Sequence, residues 1–109
     1  MIRVCARLGL LLALLGNPVA ADEFEDRIAA AERGDSIDQY DIGSAYYFGN
    51  DVAQDYKQAY IWYSVAADTG WDKAIARRDK SASQLTPEDL EQAKVDAAAL
   101  KKKIAELHK

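Results

Sequence analysis

Cysteine and histidine are almost missing from this sequence, which holds one of each in 109 residues. Cys5 stands near the amino terminus in a stretch that reads as a leader, and His108 stands one residue from the carboxyl end. Without a second thiol there is no disulfide. A lone terminal histidine with no cysteine beside it cannot supply the nitrogen and sulfur ligands of a zinc site. Serine chemistry is poorly served as well. A serine nucleophile wants a strained turn or a lysine three residues on, and none of Ser36, Ser44, Ser64, Ser81 and Ser83 has either setting. The acids show no alternation around a central glycine, as a calcium loop requires. Asp35, Asp38 and Asp41 recur every three residues, which suits a solvated helix face better than an acid–base pair in unequal surroundings. These absences exclude thiol, zinc and serine-nucleophile chemistry, and they lead to the expectation that the protein is not an enzyme and takes no cofactor.

Positive charge is also scarce, with 14 basic residues against 18 acidic ones. Nucleic acids and anionic membranes are bound chiefly by neutralising phosphates, so neither is an expected partner. Long apolar runs occur only at the start. Arg3 and Arg7 flank the entry to Leu8–Leu15, which is broken by Gly9 and followed by Gly16, Asn17 and Pro18. Val19 and Ala21 are the small residues that a cleavage after Ala21 needs, so residues 1–21 read as a secretory signal peptide. The run is well short of the ~20 residues that span a bilayer, and nothing later is longer. The expectation is an exported protein, periplasmic or secreted, with no stable membrane insertion. Removing 21 of 109 residues leaves 88, and with them go two of the basic residues, giving a net charge of −6. That is enough chain for one small domain with a modest core and no disulfide to support it.

What is present is helix. Phe24, Ile28 and Ala31 lie at helical spacing in a segment from Asp22 to Arg33, with Gly34 as a stop. Asp35 or Ser36 can cap a second helix running to about Phe48, after which Gly49, Asn50 and Asp51 make a turn. A third helix is predicted from about Asp55 to Asp68, ending at Gly70, with Ala59, Trp62, Tyr63, Ala66 and Ala67 on one stripe. A fourth covers roughly Asp72 to Ser83. The last starts at Thr86, Pro87, Glu88 and Asp89, a capping residue, a proline tolerated at the first position, and acids that suit the positive helix end. No segment alternates as a strand does. The fold class expected is all-α.

One stretch does more than form helices. Tyr40, Ile42, Gly43 and Tyr46, then Gly49 and Val52, then Gln54, Asp55, Tyr56, Ala59, Trp62, Tyr63, Ala66, Ala67 and Gly70 follow in order from Ser36 to Gly70. This stretch resembles one Sel-one-like repeat, a relative of the tetratricopeptide repeat. Small residues such as Gly43 and Ala59 suit a close helix crossing, while Tyr46, Trp62 and Tyr63 fill the space between hairpins. Asp51 stands where the family's turn usually has a second glycine, and it would have to take a backbone conformation costly for most side chains. Residues 22–34 and 71–83 resemble half repeats on either side, and Leu85–Glu88 resembles the start of the family's terminal cap. The resemblance implies a short right-handed α-α solenoid over residues 22–85, with a full repeat at about 36–70, closed by a long C-terminal capping helix over 86–109. It also implies a scaffold or adaptor that holds a protein or peptide in the bacterial envelope. Two alternatives stay open, a cell-wall-related enzyme by analogy with relatives and a self-associating structural subunit.

Two surfaces are candidates for that binding. On the second helix, Ile37, Tyr40, Ser44 and Tyr47 share the face that such solenoids turn to a groove, although Tyr40 and Tyr47 also suit packing on the first helix. On the last helix, Leu90, Ala93, Ala97, Leu100, Ile104 and Leu107 keep a three-four rhythm, the seam of a coiled coil. At 1.5 Å per residue that helix is about 31 Å long against about 20 Å for the repeat helices. Its end, with Leu100, Ile104 and Leu107, is expected to overhang and to offer a homodimer seam, or else to fold back as a simple cap.

Overall fold

The computed structural model describes residues 18–109. Among the described residues there are five helices and no strand, so this part of the chain is all-α. They are α1 (Pro18–Glu32), α2 (Ser36–Phe48), α3 (Tyr56–Ala67), α4 (Asp72–Ala82) and α5 (Pro87–Leu107). Residues 1–17 of the expected leader lie outside the described residues. The first helix begins at Pro18, earlier than the sequence pattern predicts, with proline at a position where its missing N–H is no loss.

The helix boundaries follow from a few side chains. The Asp35 carboxylate accepts from the backbone N–H groups of Ile37 and Asp38, at 2.8 and 3.2 Å, and starts α2. Asp55 does the same for Lys57 and Gln58, both at 3.0 Å, and starts α3. The Thr86 hydroxyl accepts from Asp89 N–H at 3.1 Å ahead of Pro87. Each satisfies backbone donors that have no partner inside the helix. Gly49 ends α2 in the left-handed region, and Asp51 takes φ 67° in the same turn, a left-handed conformation costly for most side chains.

Helix α3 is the axle of the fold. All nine residues from Ala59 to Ala67 are buried, because α3 packs against α2, α4 and α5 at once. Against α2 the crossing is close: a β-carbon on Gly43 would sit 2.8 Å from the Tyr63 ring. Three apolar clusters surround it. Tyr40, Ala59, Tyr63, Ala66 and Ala74 tie α2, α3 and α4. Phe24, Ala31, Ile42, Ala45 and Trp62 dock α1. Tyr60, Ile61, Ala93 and Ala97 hold α5.

The last helix has the expected length of 21 residues but does not overhang. Ile104 is buried, Leu100 packs on both the α1 cluster and the α3 cluster, and Lys103 Nζ reaches Glu32 at 2.9 Å. His108 lies against Gly34, within 2.9 Å of where a β-carbon would be. The reason is geometric. The C-terminal turns of α5 meet the junction of α1 and α2, where Glu32 and Gly34 stand, rather than projecting into solvent.

Candidate functional site

The four residues proposed on α2 do not share one environment. Tyr40 is buried, with its ring 5.2 Å from that of Tyr63 and 4.9 Å from that of Trp71. Ser44 is spent internally, its hydroxyl 2.8 Å from the Tyr63 hydroxyl. Ile37 is 61% exposed and belongs to none of the apolar clusters. Tyr47 is half-buried and stands at the edge, its ring 4.9 Å from Phe48, 5.2 Å from Tyr56 and 6.4 Å from Tyr63. The tyrosine pair is thus divided, with Tyr40 in the core and Tyr47 on its accessible margin.

That margin includes residues the sequence pattern did not single out. Arg77 of α4 lies over both Tyr47 and Phe48, with its guanidinium carbon 5.8 and 5.3 Å from the two ring centres. Lys73, one helical turn earlier, lies 5.2 Å from the centre of Tyr40. Among the described residues, neither Lys73 nor Arg77 has a carboxylate within pairing distance. Phe48 is 52% exposed. The available signal was the four-residue spacing of Lys73 and Arg77, which puts both on one face of α4. Only the packing of α4 on α2 shows that this face meets aromatic rings.

Burial holds the Tyr63 phenol above its ordinary pKa, with the Ser44 hydrogen bond acting the other way and the nearby Arg77 charge also lowering it. Tyr46, on the α1 side, is raised by burial and then by the negative charge of Asp55. Both phenols are therefore neutral at physiological pH. The arrangement offers stiff aromatic area, hydroxyl tips and two unpaired cations, which is the chemistry of holding a ligand in place.

On α5, Leu100 packs against the α1 and α3 clusters, Ile104 is buried, and of the three only Leu107 is exposed, at 60%. Among the described residues no group of three His, Cys, Asp or Glu is close enough to hold a metal ion. No described helix is long and apolar enough to cross a membrane. No known family model, curated protein or solved structure matches the chain.

Proposed function

We propose that this chain is an exported, non-catalytic module of the bacterial envelope that binds a protein or peptide, built as a short right-handed α-α solenoid of the Sel-one-like type. The observation that carries the reading is the aromatic margin between α2 and α4, where Tyr47 and Phe48 lie under Arg77. In solenoids of this type the first helices of successive repeats line the groove, and α2 and α4 hold those positions in the repeat register. The residues suit a peptide with an apolar or aromatic anchor beside an acidic group, since Arg77 and Lys73 are cations without carboxylate partners among the described residues. Aromatic and arginine side chains of this kind supply most of the energy in protein interfaces.

A displayed random-peptide library selected on the mature protein tests the reading. Enriched peptides should carry acidic and apolar residues together, and Tyr47→Ser and Arg77→Gln should each weaken the best of them by about tenfold or more. Selection without enrichment, or peptides bound equally well by both variants, would remove the α2–α4 margin as the binding surface. Tyr40→Ala is not a usable probe, because Tyr40 is part of the core.

A further inference from the structure

A second feature lies on α3 away from the aromatic margin. Where α3, α4 and α5 meet, a cleft of about 250 Å³ is lined by Tyr60 and Ser64 of α3, Arg78 of α4, and Lys94, Ala97 and Lys101 of α5. Three of its side chains are cationic and none is acidic, in a chain with 18 acidic residues against 14 basic ones. Each cation has a carboxylate neighbour: Arg78 with Asp79 at 3.0 Å, Lys94 with Glu91 at 3.3 Å and Lys101 with Asp68 at 3.3 Å. Those carboxylates do not line the cleft and are well exposed. Exposed pairs of this kind contribute little and exchange readily.

The second observation is Ser64. Its residue is 4% exposed, and its hydroxyl is buried without a hydrogen-bond partner. A serine in the middle of a helix commonly bonds the carbonyl four residues earlier, and Ser64 does not. A buried hydroxyl without a partner destabilises a protein, and among the described residues no other buried side-chain polar atom is left without one. Beside three cations, an unused donor matches an oxyanion. A carboxylate has two oxygens and one charge. A phosphate group has more oxygens and up to two charges, which suits several cationic and hydroxyl donors at once, the Ser64 hydroxyl being reached only once the long side chains that border the cleft shift. Lys94 and Lys101 border the cleft on flexible stems and can move with an entering anion.

We propose that this cleft binds the phosphate group of a small phosphate monoester. Calorimetric titration of the full chain with inorganic phosphate and with glycerol 3-phosphate, at low ionic strength in chloride buffer, separates the free ion from the ester. Saturable binding of one equivalent is expected, tighter for the ester. Lys94→Gln, at an exposed position that folding does not need, is expected to weaken binding about tenfold, as is Arg78→Gln. Lys102→Gln makes the same charge change on the exposed side of α5 and should leave binding unaltered. Ser64→Ala is expected to weaken phosphate binding severalfold while raising the thermal midpoint of the ligand-free protein, since it deletes an unsatisfied hydroxyl. Absence of saturable binding to both probes overturns the proposal. So does equal weakening by Lys94→Gln and Lys102→Gln, which would mean a diffuse charge effect, or a Ser64→Ala variant that binds phosphate as the parent does.

Discussion

Two backbone positions and two phenols carry the sharpest expectations for single residues. Gly43→Ala would drive a methyl into the ring of Tyr63, which is fully buried and has nowhere to turn. Overpacking of this kind costs about 1–3 kcal/mol, to be read as a lower midpoint in urea unfolding with an unchanged slope. At Asp51, with φ 67°, the backbone and the Arg27 ion pair at 3.1 Å can be separated. Asp51→Gly and Asp51→Val both delete the exposed pair, so the difference between them reports the backbone alone. Val is expected to be the less stable by about 1–2 kcal/mol. Tyr63 and Tyr46 have phenols raised above the unfolded value by burial. The unfolded chain then releases these protons first as pH rises past about 10. The stability they contribute is complete below that pH and is lost as the pH climbs toward the folded values. Urea midpoints measured from pH 8 to 11 should fall above pH 10, and less steeply in Tyr63→Phe.

For the helices as elements, the sequence was readable wherever start signals sit in the side chains. Thr86 caps its helix as the local pattern predicts, of Asp35 and Ser36 the former is the cap, and Asp55, where the pattern places the start of α3, proves to be its cap. Asp55→Ala is expected to destabilise by about 1 kcal/mol in thermal or urea unfolding. Helix α4 starts at Asp72, as expected, although no capping side chain marks it: Trp71 occupies the cap position and makes no capping bond, its ring lying instead 4.9 Å from that of Tyr40. Likewise the polar Gln39 reads as surface in sequence yet is buried, donating to the Ala31 carbonyl at 3.1 Å and closing the end of α1. No local rule announces that role, since the carbonyl it satisfies belongs to the preceding helix.

Across the whole molecule the question is what α5 does with its apolar seam. Ala93 and Ala97 lie on α3, Leu100 bridges to α1, and Ile104 is buried near the end. Deleting residues 99–109 therefore removes core as well as surface, and loss of the Ile104 side chain alone is worth about 2–5 kcal/mol. The deletion is expected to lower the thermal midpoint by well over 5 °C, whereas Leu107→Ala, at an exposed position, should change stability by less than about 0.5 kcal/mol. Any test of self-association through this helix belongs to Leu107 rather than to a truncation. Equal stability of the deletion and the parent would show that α5 is not integral to the fold.

Local pattern is enough to establish that the described residues are helical, where most helices begin and end, and which residues are small at the α2–α3 crossing. These are local matters, governed by capping, periodicity and the space a side chain needs on its own helix. Tertiary structure alone decided that Tyr40 is core while Tyr47 is margin, and that Arg77 meets aromatic rings. It also decided that the last helix turns its seam inward onto α3, with Leu100 reaching the α1 cluster, and leaves Ser64 unpaired beside three cations. Helical spacing gives the face on which a residue lies. What stands opposite that face is set by the packing of other helices, and the residues concerned can be 71 positions apart, as Glu32 and Lys103 are.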